Sequence, residues 1–399
     1  MPAMTAPDSA ARRNVRILTV AQALGGATPP VIISLGGVIG QQLATNKALA
    51  TLPVSLLNIG LAIAVIPAAW LMRRHGRRVG YIMGCMAGVM AGLVAAAGTA
   101  SAAFWLFCLG TFIAGFYTAF VQSYRFAAVD AASEAFKPRA ISMVMVGGLF
   151  AAIIGPQTVI WTRDLAPHYP FAASFLALSA LALLAIPVVA MLDAPPPKAQ
   201  ASGGRPLSEI MRQPRFITAV IAGLVSYGLM AFLMTAAPMA MVACGHTIGE
   251  AALGIQWHVL AMFGPSFFTG KLIARHGKDK ITAAGLAMIA AAAVIGLSGI
   301  TLLHFWAALI LLGVGWNFGF VGATAMVTDC YRPEERTRVQ AANDFLVFGS
   351  VALASLSSGK LLHLGGWDIV NWVVFPAVAT ALVMVALQAR AGRRAAIGA

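Results

Sequence analysis

Runs of about twenty apolar residues recur along this chain from end to end, and short stretches holding most of the charges separate them. A run of that length is long enough to cross a hydrocarbon core as a helix, which satisfies every backbone N–H and C=O internally. A membrane barrel would instead alternate apolar and polar residues in short segments. Only 10% of the residues are charged and 60% are hydrophobic, against about a quarter charged in a soluble domain. The expected fold class is therefore an all-α membrane protein of twelve transmembrane helices in two six-helix bundles. The first six spans are predicted at 15–40, 49–72, 79–100, 102–125, 139–162 and 170–192. The other six are predicted at 216–241, 250–273, 281–302, 304–327, 340–363 and 368–389.

The net charge of +14 goes with a lopsided placement of the cations along the chain. With twelve spans and both termini inside, all but three of the 27 Lys and Arg fall on the cytoplasmic side, the exceptions being Lys47, Arg163 and Lys360. That is the positive-inside pattern of a bacterial cytoplasmic membrane protein, and it accounts for the basic pI without a nucleic-acid partner; membrane lipid is the expected surrounding. Arg12, Arg13 and Arg16 before an apolar run resemble a signal peptide, but the run continues through Pro29 and Pro30 to Gly40, so it is expected to stay as a span. The four Cys have no CxxC spacing and no disulfide framework. No nucleotide loop, catalytic triad or paired-carboxylate arrangement stands out, so no enzyme, catalytic residue or permanently bound cofactor is expected.

The chain divides into 1–192 and 216–399, joined by a Pro-, Gly- and Ser-rich cytoplasmic linker at 193–215. The halves repeat each other. AAWLMRRHGRR (Ala68 to Arg78) in the first answers TGKLIARHGKD (Thr269 to Asp279) in the second, with Gly76 and Gly277 201 residues apart. Asp130 and Arg139 answer Asp329 and Arg338 at an offset of 199. Two echoes at nearly one offset mark a parallel repeat, an architecture of transporters with a site near the midplane.

These loops resemble those of the major facilitator superfamily, whose motif runs Gly-x-Leu-x-Asp-Arg-x-Gly-Arg-Lys. Leu71, Arg74, Gly76, Arg77 and Arg78 match it, as do Gly270, Leu272, Arg275, Gly277 and Lys278. The resemblance implies a gating role for Arg74, Gly76, Arg77, Arg78, Arg275, Gly277 and Lys278. Arg73 and Ala274 occupy the acidic position, and Ala69 the first glycine. In the family that carboxylate helps latch the cytoplasmic side by pairing with neighbouring helix ends.

The candidate substrate site is read at Ser226 to Phe267. Met230 and Met234 in span seven, and His258 and Met262 in span eight, are each spaced i, i+4 and so share a helix face. Depths reckoned at about 1.5 Å per residue place Met234 level with His258, and Met230 level with Met262. Thioethers and an imidazole without a carboxylate suit Cu(I), and His258 is the only one of seven His placed well inside a span. Met is also a flexible packing residue, and the chain has 18. The MxxxM and HxxxM pattern is similar to that of the CcoA-like copper importers, bacterial inner-membrane proteins that supply copper for cytochrome oxidase assembly. That resemblance implies Met230, Met234, His258 and Met262 as ligands, with copper as transported substrate. The same resemblance implies Cys244 and the neighbouring His246 as the way in for the metal, and a copper chaperone as a cytoplasmic partner. Near the outer end of span one, where the nearest such proteins carry a second Cys, stands Asn46.

The same branch includes flavin importers related to riboflavin carriers. Gln22, Asn58, Gln122, Tyr124, Gln157, Trp161, Gln256, Trp257, Trp316, Asn317 and Asn343 punctuate the apolar runs, and Trp with amide side chains can stack on and hydrogen-bond a planar solute. A carrier of a small organic solute, riboflavin or a drug-like efflux substrate, is thus the alternative to copper import by alternating access. A non-transporting membrane sensor that only binds metal is a third. Copper import predicts loss on Met→Leu exchange, the solute carrier predicts tolerance of it, and a sensor gives no flux. Besides His258, only Asp344 enters a span, as a candidate for proton coupling or as a partner of Arg338.

Overall fold

A computed structural model of the protein describes residues 6–130, 136–193 and 204–397. The side chains of 6–10, 129–130, 137–139, 141, 337 and 392–397 lie outside the described set. The echo at Asp130 and Arg139 and linker residues 194–203 therefore fall outside it.

The described residues form helices and no strands. In the N-terminal half these are α1 (Ala6–Gly25), α2 (Thr28–Leu43), α3 (Leu52–His75), α4 (Arg77–Ala100), α5 (Phe104–Gln122), α6 (Tyr124–Asp130), α7 (Lys137–Thr162) and α8 (Ala172–Ala190). The C-terminal half holds α9 (Leu207–Met211), α10 (Pro214–Ala243), α11 (Ile248–Phe263), α12 (Ser266–His276), α13 (Lys278–Ser298), α14 (Leu302–Val327), α15 (Arg336–Trp372) and α16 (Val374–Ile397). Ten stretches are long and apolar enough to cross a membrane, among the described residues. One of them, Arg338–Ala391, is 54 residues long, enough for two crossings at about 1.5 Å per residue. The α11–α12 pair, interrupted at Gly264 and Pro265, supplies the twelfth.

Breaks in these helices follow the sequence chemistry. Span one is two helices, α1 and α2, parted just before Pro29 and Pro30. Pro lacks an N–H and clashes with the preceding turn, so a helix ends or bends there. Span eight breaks at Pro265 for the same reason. Within α15 the break falls at Gly365 and Gly366, the latter at φ +67°, a conformation that costs a side chain far more than glycine.

The chain forms two compact units. One takes the helices of the N-terminal half together with Thr247–Gln256, and the other takes the remainder of the C-terminal half. In the first, Phe107 and Phe175 meet edge-on at 5.2 Å, within a core that also buries Val31, Leu35, Leu57, Phe171 and Ala252. Ala252 belongs to the opening turns of α11. In the second unit α13 and α14 approach through glycine. A Cβ on Gly285 would stand 2.1 Å from the Gly319 amide nitrogen, and one on Gly322 would stand 2.3 Å from Thr282 Oγ1. Small residues let backbones approach where no hydrophobic force drives helices together.

The repeat is visible in the backbone. Gly76, between α3 and α4, has φ +83° and ψ 159°; Gly277, between α12 and α13, has φ +89° and ψ 155°. A Cβ at either would meet nothing within 4 Å, so the positive φ, rather than lack of room, calls for glycine.

The end of the linker is fastened to the loop between α14 and α15. Glu335 is buried and accepts from Arg205 Nε at 3.0 Å, from Arg205 Nη2 at 2.8 Å, and from the backbone amides of Arg205 and Arg332 at 2.7 and 2.9 Å. The fork of Arg205, then the Arg332 amide, holds the Glu335 carboxyl well below the usual carboxylate range. A depressed folded-state value stabilises the protein above the unfolded carboxylate value of about 4.3. That stability drains away as pH falls below it. Between pH 5 and about 3, the melting temperature of wild type should fall more steeply than that of Glu335→Gln, which has no proton to take up. Parallel curves from thermal unfolding at stepped pH would count against this role.

Candidate functional site in the second unit

Phe263 closes α11 and α12 begins at Ser266. The missing N–H of Pro265 disrupts the hydrogen-bond ladder, and side chains take over. Asn317 on α14, fully buried, donates through Nδ2 to the Met262 carbonyl at 2.6 Å and stands 2.7 Å from Ser266 Oγ. Thr269 Oγ1 lies between the Pro265 carbonyl at 2.8 Å and Asn317 Oδ1 at 2.5 Å. One amide thus bridges both sides of the break. Interrupted helices of this kind line substrate sites in membrane carriers.

Aromatic rings gather at the same place. Trp316 and Phe320, i and i+4 on α14, stack at 5.4 Å with planes 17° apart. Tyr227 of α10 stands 5.3 Å from Trp316, 4.9 Å from Phe320 and 5.8 Å from Phe348 of α15. Phe263 of α11 reaches Trp316 at 6.2 Å. Four helices each contribute at least one ring. Trp316 is only 7% exposed and its indole Nε1 has no hydrogen-bond partner; the other four rings are half-buried. Sequence reasoning singled out Trp316 and Asn317 but missed Tyr227, Phe263, Phe320 and Phe348. The i, i+4 spacing of Trp316 and Phe320, and Phe263 directly before Gly-Pro, were the available signals.

Met230, Met234 and Met262 are buried at 3%, 5% and 6% exposure, and His258 at 0%. The His258 Nδ1 lies 2.7 Å from the Leu309 carbonyl of α14, and its Nε2 has no hydrogen-bond partner. The Met262 amide and His258 carbonyl lie where Gly313 of α14 leaves room, at 3.0 and 2.5 Å from a Cβ there. That part of α11 is turned against α14. Among the described residues no group of three or more His, Cys, Asp or Glu could hold a metal ion.

Cys244 is exposed and ends α10; partial burial, then Asp368, raises its thiol above the ordinary value, which disfavours a metal-binding thiolate. His246 Nε2 is engaged with the Ile300 carbonyl at 2.9 Å. Asp344 accepts from Asn343 at 3.2 Å, while Arg338 donates to the Arg205 carbonyl at 3.0 Å.

Of the loop residues, Arg74 lies over the Trp70 ring at 5.4 Å and Arg77 is 3.2 Å from the Tyr81 hydroxyl. Arg78 and Arg275 are exposed. Lys278 pairs with Asp329, and Arg215 with Asp279 at 2.5 Å and Asp329 at 3.1 Å. With Ala274 in the acidic position, the second unit takes its carboxylates from Asp279 and Asp329, binding the start of α10 to the start of α13 and the loop after α14. In the first unit, Gln157 Nε2 of α7 donates to Gln256 Oε1 of α11 at 3.0 Å. Trp161 is 71% exposed, as suits an anchor at a membrane interface.

The family model for the Major Facilitator Superfamily matches residues 17–265 and 219–397. The chain is 60% identical over 384 residues to the riboflavin transporter RfnT of Brucella anthropi, covering 95% of this chain and 96% of that one. It is 29% identical over 369 residues to YdeG of Bacillus subtilis, an uncharacterized MFS-type transporter, covering 88% and 86%. A crystal structure of the nucleoside transporter NupG matches with TM-score 0.71 over 93% of this chain and 98% of that one, at 14% identity, a likeness of fold.

The first relative overturns the copper expectation. A near full-length relative at 60% identity carries the name of a riboflavin transporter. Copper import, metal binding, a part in cytochrome oxidase assembly and a copper chaperone are therefore withdrawn. The resemblance that the comparison shows is to a riboflavin transporter, not specifically to a CcoA-like importer. Met spaced i, i+4 fills gaps between helices as readily as it binds a soft ion, and spacing alone cannot tell the two apart.

Proposed function

This chain belongs to the Major Facilitator Superfamily, and on that premise we propose that it carries riboflavin across a bacterial cytoplasmic membrane by alternating access. It is a transporter and not an enzyme. The observation that carries the reading is 60% identity, over 95% of the chain, with the riboflavin transporter of Brucella anthropi. The interrupted α11–α12 pair and the aromatic rings beside it support it, since a planar apolar solute is held by stacking and a few placed polar groups. The division into bundles 1–192 and 216–399 belongs to the same proposal. So do the cytoplasmic termini, which rest on the charge asymmetry, and the gating role of the loops at Gly76 and Gly277.

The test is uptake of labelled riboflavin and labelled copper, side by side, in cells that neither make nor import riboflavin, with and without this protein. Riboflavin accumulation should require the protein and saturate, while copper content stays unchanged. Copper accumulation without riboflavin uptake would defeat the reading. In the same cells Met230→Leu, Met234→Leu and Met262→Leu should each retain at least about half of wild-type riboflavin uptake, because volume-conserving apolar exchanges cost less than about 1.5 kcal/mol. Loss of riboflavin uptake at normal protein abundance would show that the thioethers do more than fill space.

A further inference from the structure

We propose that Tyr227, Phe263, Trp316, Phe320 and Phe348 bind the isoalloxazine ring of the flavin, and that this site takes uncharged flavins and turns away phosphorylated ones. The inference deepens the riboflavin reading and rests on it.

Three observations converge. The stacked Trp316–Phe320 pair, 17° from parallel, is a platform that a third flat ring can extend, and offset stacking on aromatic faces holds nucleobase-like rings of any edge pattern. Phe320 is half-buried and so presents ring surface. Second, the Trp316 indole is 7% exposed and its Nε1–H has no acceptor. A buried donor without a partner is costly. A carbonyl on the pyrimidine end of an isoalloxazine is an acceptor suited to it. Third, the cluster reaches the break at Gly264 and Pro265 through Phe263, which directly precedes it. Asn317 ties that break to the helix that carries Trp316.

The charge preference follows from what the surrounding helices lack. From 216 to 249 in α10 and its following turn there is no charged side chain but a titratable His246; from 251 to 270 none but a titratable His258; from 305 to 328 none. Asp344 stands one turn before Phe348 on α15. A phosphate entering there would lose its water, find no cation on these segments and meet a carboxylate. Riboflavin, whose ribityl chain ends in a hydroxyl, avoids that cost.

The experiment uses the purified full-length protein in lipid nanodiscs, with quenching of riboflavin fluorescence as the signal. Lumiflavin, the bare methylated ring, and riboflavin 5′-phosphate serve as competitors. Lumiflavin should compete within about threefold of riboflavin, and the phosphate at least about tenfold more weakly. Trp316→Phe keeps a ring and deletes the donor; it should weaken riboflavin and lumiflavin alike, by roughly fivefold. Phe320→Leu keeps apolar bulk and removes the platform; it should weaken both by roughly tenfold. Phe268→Ala, at a ring pair with Phe318 outside the cluster, should leave both unchanged. Thermal unfolding of each variant separates lost binding from lost fold.

Failure of lumiflavin to compete would place recognition on the ribityl chain and overturn the ring assignment. Equal competition by the phosphate would overturn the charge preference. Folded Trp316→Phe and Phe320→Leu proteins that bind like wild type would overturn the cluster while leaving the transporter reading intact. A folded wild type that neither binds nor transports riboflavin would overturn that reading itself.

Discussion

Gly285→Val should yield almost no folded carrier. A Cβ at this position would lie 2.1 Å from the amide nitrogen of Gly319 and 2.6 Å from the carbonyl oxygen of Gly315. Both are backbone atoms of α14, so no rotamer change relieves the clash, and the two helices must part. Parting them disturbs a second seam, because Gly319 also admits Ser226 of α10, whose Oγ would stand 2.4 Å from a Cβ there. Overpacking commonly costs about 1–3 kcal/mol. A backbone collision shared by three helices should reach or exceed about 3 kcal/mol, a large part of a net stability of about 5–15 kcal/mol. Gly148→Ala is the matched control. It lies within α7, meets nothing within 4 Å, and should hold or raise stability by up to about 1 kcal/mol through helix propensity. Size-exclusion profiles from solubilised membranes, with thermal unfolding of the recovered peak, read both. A monodisperse Gly285→Val protein with wild-type melting would show that α13 and α14 do not touch as described.

Asn317→Leu should be the next most damaging exchange. The variant keeps comparable volume but orphans the Met262 carbonyl and removes the partner of Ser266 and Thr269. Each buried polar group left unsatisfied costs about 1–3 kcal/mol, so a loss of about 3 kcal/mol is expected. Because the break at Pro265 lies beside the aromatic cluster, riboflavin uptake should fall by at least about tenfold even at temperatures where the protein remains folded. Asn317→Gln, which retains the amide on a longer stem, should be intermediate in both measurements. Uptake that survives in Asn317→Leu at wild-type abundance would separate the helix break from transport.

Much of the fold was readable from the residues because membrane constraints are local. A helix must be about twenty apolar residues long wherever it crosses, and basic loops must alternate between sides, so length and charge placement speak for themselves. The matched glycines at 76 and 277 announced a repeat, and both adopt a positive φ with a ψ near 155–159°. Helix ends were less legible. Pro29 and Pro265 stood in plain view, yet whether a Pro bends a helix or splits it depends on what captures the freed carbonyls. For α11 that is Asn317, fifty-five residues beyond Met262.

The amino-acid sequence by itself determined a polytopic helical carrier, its two-fold internal repeat and the residue types available to a site. Spacing of i, i+4 put Met230 with Met234 and His258 with Met262, but periodicity fixes only which residues of one helix share a face. Which neighbour that face meets is decided by the contacts of distant segments. Tertiary structure turned the His258 ring onto the Leu309 carbonyl and gathered Tyr227, Phe263, Trp316, Phe320 and Phe348 from four helices. No local pattern could assemble that cluster, because its members are up to 121 residues apart and meet only when the glycine seams and the bridged break have set the helices in place.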